Sequence, residues 1–187
     1  INNGNTVEAT KQFDKYFCGS SLSPPAGGSR HPLPDRYSDK IKLIALVDFD
    51  NDCVETSLQV ARILKDKLWG VRLDTASDLI DESIKMQQCD NETMKQLKGV
   101  NPTLVKLVRK ALDQEGFNHV RIVVSGGFNE EKIKWFEKEK APVDVYGVGS
   151  SIIHGENDFT ADIVKVEGKS VAKVGREYKA SKKLRLI

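Results

Sequence analysis

Two short stretches hold the residue types that bind phosphate. Val123-Val124-Ser125-Gly126-Gly127-Phe128 and, further on, Val145-Tyr146-Gly147-Val148-Gly149-Ser150-Ser151 each run a β-branched segment straight into a turn of glycine and serine. Backbone N–H groups left bare where a strand ends and a helix begins attract an anion, because the helix dipole and the unpaired donors favour the same sign of charge. Two such turns on consecutive strands match the phosphate site of (β/α)8 barrels, which lies in the loops after strands seven and eight. Ser125, Gly126 and Gly127, with Gly147, Val148, Gly149 and Ser150, are therefore the expected cradle of a phosphorylated sugar.

The next signal is Gly70-Val71-Arg72-Leu73-Asp74-Thr75. Alternate side chains of a strand share a face, so Arg72 and Asp74 are displayed together near the strand's C-terminal end. One reading is a buried Arg–Asp ion pair, since an unpaired charge there is costly. The other gives Arg72 an anion to bind and Asp74 the sugar hydroxyls or a metal-bound diphosphate, and the strand-end position favours it. Asp48, Asp50 and Asp52 close the preceding strand. Three carboxylates at alternate positions can offer oxygen ligands to Mg2+, or they can cap the following helix. Capping is the expectation for Asp50 and Asp52, although Asp50 stays a candidate with Asp48 for metal or diphosphate; Asp48, nearest the strand, reads as functional. Of His31, His119 and His154, only His154 stands near a glycine turn.

These groups need elements to hold them. A helix is expected over residues 5–17, capped by Asn5, then a Ser/Pro/Gly-rich loop over 19–39 that serves as lid or connection. The apolar run 41–47 reads as a strand buried on both faces. Val54, Leu58, Ala61 and Leu64 mark a helix. Strand 68–73, a short helix over 79–86 and a polar connection over 87–100 come next. Asn101-Pro102 opens a helix that Gly116 ends. Strand 120–124, helix 129–139 and strand 143–148 complete the alternation. Segments 162–166 and 170–174, joined by Glu167-Gly168-Lys169, read as a hairpin. Strand–helix alternation implies parallel strands and right-handed crossovers. Four barrel-type strands are visible where closure needs eight. The expected architecture is therefore α/β, either a small open sheet or the C-terminal half of an irregular (β/α) barrel, and the two phosphate turns on the last two strands favour the half-barrel. A helix and loop (1–40) lead into the partial barrel (41–155), and a hairpin with a basic tail (156–187) closes the chain.

Composition excludes several classes. Lys and Arg number 29 against 27 Asp and Glu, too even a balance for sequence-independent nucleic-acid binding. The basic run 179–185 reads as a solvated tail. Cys18, Cys53 and Cys89 are scattered and odd in number, which argues for reduced thiols in a cytoplasmic protein. No apolar run has the length of a membrane span. The first residues are Ile-Asn-Asn rather than Met, and the expectation is a processed or partial segment of a longer polypeptide.

Taken in order, Val-Asp-Phe-Asp-Asn-Asp (47–52), Gly-Val-Arg-Leu-Asp-Thr (70–75), Val-Ser-Gly-Gly-Phe (124–128) and Tyr-Gly-Val-Gly-Ser-Ser (146–151) resemble the C-terminal part of the nicotinate phosphoribosyltransferase family. Asp-Phe-Thr-Ala-Asp-Ile-Val (158–164) and Lys-Val-Gly-Arg-Glu (173–177) fit the same family, so the resemblance runs from Asn5 to Glu177. It implies type II phosphoribosyltransferase chemistry: nicotinate and 5-phosphoribosyl 1-diphosphate give nicotinate mononucleotide and diphosphate, with Mg2+ and with ATP as co-substrate, in NAD salvage. It also implies an irregular barrel with a second, split α/β domain, and a homodimer or higher oligomer with sites across the interface. By matching motif positions, Arg72 and Asp74 would meet ribose and diphosphate as the catalytic pair, and the two glycine turns would hold the 5-phosphate.

There are departures. The family's Gly-Thr-x-x-His block would stand upstream of Thr6, Asn5 stands where Asp is expected, and the long Ser/Pro loop reads as an insertion. The segment alone is expected to be inactive without its N-terminal portion. Quinolinate phosphoribosyltransferase is the nearest rival, though no Arg/His/Lys cluster for two carboxylates is visible. A nicotinamide-specific relative and a non-catalytic phosphoribosyl-binding fragment stand beside it as rival readings.

Overall fold

Four short strands, β1 (Ile44–Leu46), β2 (Gly70–Leu73), β3 (Arg121–Val124) and β4 (Val145–Tyr146), stand side by side in chain order and all run parallel. The computed structural model describes residues 4–18, 41–85, 97–152 and 162–178. The helices are α1 (Thr6–Phe13), α2 (Cys53–Leu64), α3 (Glu82–Lys85), α4 (Pro102–Gln114) and α5 (Glu130–Lys138), with a π turn after α1 and a 3-10 turn after α2. The sheet is open among the described residues, so the expected partial barrel is present as a four-stranded parallel sheet with helices and without closure.

Four helices begin in the same way. Asn5, Asp52, Asn101 and Asn129 each accept a hydrogen bond from the backbone N–H three residues on. This satisfies one of the donors that every helix start leaves orphaned. Asn101 does more: its amide also donates to the carbonyls of Leu97 and Gly99.

One face of the sheet makes the core. Ala45, Val47, Val71, Leu73, Ile122 and Val124 pack with Val60, Ala61 and Leu64 of α2, the Leu104/Val108/Leu112 stripe of α4, and Phe136 of α5. The opposite face is exposed along much of β1 and at Val145, although Val123 on it is buried. Ile44 and Leu46 are each 38% exposed, Val145 is 40% exposed, and Arg72 and Arg121 are exposed beside them. This corrects the expectation that β1 is buried on both sides. Crossovers of one hand between neighbours in a single direction put every helix on the same side, so only alternate residues of β1 reach the core.

Other boundaries move inward. The short helix covers only Glu82–Lys85, and the hairpin pairs β5 (Lys165–Val166) with β6 (Lys169–Ser170). Its turn is the two residues Glu167 and Gly168, both in the left-handed region (φ 49° and 78°), as tight antiparallel turns require. The chain then returns to the sheet: the Val174 N–H donates to the Phe49 carbonyl at 3.1 Å. The Ser/Pro/Gly loop, His31, His154, Cys89, Asp158 and the basic tail lie outside the described residues.

Candidate functional site

The hydrogen-bond ladder runs past the last strand residues and keeps the next positions in register. Val47 N–H donates to Arg72 O at 3.1 Å, Ser125 N–H to Leu73 O at 2.9 Å, and Gly147 N–H to Val124 O at 2.7 Å. Asp48, Asp74, Ser125 and Gly147 consequently continue the alternation of Leu46, Arg72, Val123 and Val145, on the face away from the helices at its C-terminal edge. Alternation along a strand and register across it therefore bring residues from four separate segments into one row.

The two glycine turns are neighbours in that row. A Cβ on Gly147 would stand 3.2 Å from the Ser125 Cβ, and one on Gly126 would stand 2.9 Å from Asp74 Oδ1. Gly126 and Gly127 both have positive φ, 92° and 67°, which glycine alone adopts freely. Because Ser125 and Gly147 spend their amides in the sheet, the free donors lie one residue on. Among the described residues the N–H groups of Gly126, Gly127, Val148 and Gly149 donate to no backbone carbonyl. Beside Gly127 and Gly149 the space within 4 Å of a Cβ is open. Successive unpaired N–H groups at a positive-φ turn make an anion-binding concavity. Val148 is half-buried and Ser150 exposed. The Ser125 hydroxyl donates to Leu73 O at 3.3 Å.

Arg72 is exposed and Asp74 half-buried, and no ion pair joins them among the described residues. The buried-pair reading of these two residues is thereby removed. Asp48 is a different matter. Its side chain is fully buried and its carboxylate is ion-paired with Lys173, whose ammonium also donates to the Asp74 carbonyl at 2.6 Å. Burial raises the Asp48 pKa and Lys173 pulls it back. On the other side Lys132 donates to Gly126 O at 2.8 Å and lies 4.4 Å from the centre of the Phe128 ring. Burial lowers the Lys132 pKa, opposed by the charge of Asp74.

Of the three acidic residues after β1, Asp52 caps α2 and also accepts from Ser83, while Asp50 is exposed. Asp48 and Asp50 thus face different surroundings, one against an ammonium and one in solvent. No group of three or more His, Cys, Asp or Glu side chains converges among the described residues. A Mg2+ site built from protein ligands alone does not fit this donor set, although Mg2+ commonly binds through one carboxylate and substrate phosphates. Cys53 is buried, and burial pushes its thiol pKa well up, which leaves it without nucleophilic character. Among the described residues, two surface clefts lie along the helices. In the one lined by Lys106, Lys110 and Lys140, Arg109 is tied to the carbonyls of Phe117 and Val120.

Lys173 and Lys132 are the site residues that sequence reasoning passed over. Lys173 belongs to a motif that carried the family resemblance, yet nothing in its spacing announces a return across 99 residues to the end of β2. Lys132 lies three residues beyond the Asn129 cap, a position that aims the side chain back at the turn below it.

Two known proteins resemble this chain. Along nearly the whole chain there is a structural likeness to a nicotinate-nucleotide pyrophosphorylase from Pyrococcus furiosus, with a TM-score of 0.52 and 32% identity over 92% of this chain and 34% of that one. The second is a nicotinate phosphoribosyltransferase of Mycobacterium tuberculosis, matched in strains CDC 1551 and H37Rv at 40% identity over 74 residues, 37% of this chain and 16% of the relative. The chain thus spans about a sixth of the curated relative and a third of the solved one. No protein-family model matches it. No helix among the described residues is long and apolar enough to cross a membrane.

Proposed function

We propose that this chain carries the phosphoribosyl-binding half of a nicotinate phosphoribosyltransferase, with Gly126, Gly127, Val148 and Gly149 holding the 5-phosphate and Asp74 the ribose. The observation that supports it most is the contact between the two glycine turns and Asp74 on one sheet edge. A phosphate fixed there supplies binding energy remote from the reacting carbon and orients the sugar. At C1 the bond to diphosphate breaks, its electron pair leaving with the diphosphate, and a bond to the ring nitrogen forms. The sugar passes through a cationic, oxocarbenium-like state that a nearby carboxylate stabilises. Arg72, exposed on the same face, is suited to the departing anion. Mg2+ in this reading travels with the diphosphate and neutralises its charge, and ATP acts as co-substrate.

Turnover in this reading requires further polypeptide, which the exposed apolar residues of the sheet face and the small share of each relative both support. An oligomer and a cytoplasmic site of action belong to the same proposal. A second reading, the pyrophosphorylase reaction on quinolinate, is favoured by the structural likeness over 92% of the chain. It is disfavoured by the lack of an Arg/His/Lys cluster for two carboxylates among the described residues of the row.

Calorimetric titration of the chain with ribose 5-phosphate tests the phosphate cradle, and absence of binding removes it. In a longer, active polypeptide, Asp74→Ala should lower turnover by about 100-fold or more, the loss typical of one electrostatic stabiliser. Assays of that polypeptide with nicotinate, nicotinamide and quinolinate choose the substrate, and turnover of quinolinate alone would replace the first reading by the second.

A further inference from the structure

Asp48 is the costliest group at the strand ends. Its side chain is fully buried and its Oδ1 has no hydrogen-bond partner among the described residues. A carboxylate in that position persists only where something compensates it. The compensation comes from Lys173, in the strap of chain that returns from the hairpin of β5 and β6. One ammonium pairs with Asp48 and donates to the carbonyl of Asp74 at 2.6 Å, so it ties the end of β1 to the end of β2. The strap is anchored by the Val174 N–H on Phe49 O at 3.1 Å and by Gly175, packed so closely on Leu79 that a Cβ would come within 2.8 Å of its side chain. The Asp74 carboxylate, in contrast, takes part in no ion pair among the described residues and rests beside Gly126 in line with the glycine turns.

We propose that Lys173 is a positioning residue of this site. By clamping the Asp48 carboxylate to the Asp74 main chain it sets where the Asp74 carboxylate stands over the sheet edge, and leaves that carboxylate free to accept from the hydroxyls of a phosphorylated sugar. Asp48 is then the anchor of the clamp rather than a cation ligand. The identity of the sugar ligand rests on the phosphoribosyl reading above, whereas the clamp rests on the geometry alone.

Lys173→Met by itself strands a buried charge and can fail for that reason. The informative variant is Asp48→Asn with Lys173→Met, which removes both charges at nearly constant volume. In the purified chain, two measurements are needed: the carbon-13 chemical shift of the Asp74 carboxyl and the affinity for ribose 5-phosphate. The double variant should unfold near the wild-type temperature, show a displaced Asp74 carboxyl signal, and bind ribose 5-phosphate about tenfold more weakly or worse, the loss expected when one hydrogen bond to a charged group is misplaced. A double variant with a wild-type signal overturns the proposal, whatever its affinity, and so does a displaced signal with wild-type affinity. If the wild-type chain binds no ribose 5-phosphate, the phosphoribosyl reading falls, and the Asp74 signal alone then decides the clamp.

Discussion

At the scale of single residues, the glycines of the second turn and the buried carboxylate lend themselves to direct tests. Gly149 has open space within 4 Å of a built Cβ, so Gly149→Val has room to fold. It should leave the unfolding temperature within a few degrees while abolishing ribose 5-phosphate binding, because the isopropyl group fills the concavity in front of the free amides. Calorimetry with wild-type affinity in the folded variant would put the cradle elsewhere. Asp48 carries a pH dependence of definite sign. Burial raises its pKa above the ordinary 3.8, so its contribution to stability is fully present below that value and is lost as pH rises through the folded pKa. Unfolding temperatures measured from pH 3.5 to 7 should therefore decline from this group as pH rises, and the decline should be smaller in Asp48→Asn. An identical profile in both proteins would show that Lys173 compensates the charge fully.

At the scale of elements, helix starts carry more of the architecture than their length suggests. Asn101 caps α4 through Leu104 N–H and donates to both Leu97 O and Gly99 O, fully buried. Asn101→Ala should cost about 2 kcal/mol, a cap plus buried carbonyls left unsatisfied, and Asn101→Asp should recover the cap alone. Chemical denaturation would separate the two, and equal stabilities would mean that the donor side of the amide is idle. The Asn-Pro pair made this helix legible from the sequence, as did Asn5 and Asp52 for theirs. The strands were legible as apolar runs, but their ends were not: of the run over 41–47 only Ile44–Leu46 is paired strand, and Leu43 and Val47 on either side of it add hydrogen bonds to the β2 segment.

At the scale of the whole molecule, the partly exposed sheet face dominates. Ile44, Leu46 and Val145 present apolar surface around Arg72 and Arg121. Neighbouring Ile44 and Leu46 on the edge strand are the exposed apolar pair to which other protein would pack. Replacing Ile44 and Leu46 by Thr should reduce self-association of the isolated chain in sedimentation velocity without lowering its unfolding temperature. A chain that is monomeric before and after the change would show that this face needs no cover in solution. The row of Asp48, Asp74, Ser125 and Gly147 on the same face belongs to this scale too, since no one of the four is near another in the chain.

Local chemistry was readable from the chain alone: glycine turns after β-branched runs, capping residues before helices, and the Arg72–Asp74 alternation at a strand end. Each of these depends on neighbours a few residues away, and short-range spacing determines them. Only the tertiary structure decided that one sheet face lies partly bare, that Asp48 is buried, and that Lys173 reaches back to compensate it. Those outcomes depend on which strands pair and on where a distant strap lands. Their cause is burial and desolvation, which are properties of the packed molecule and of no segment within it.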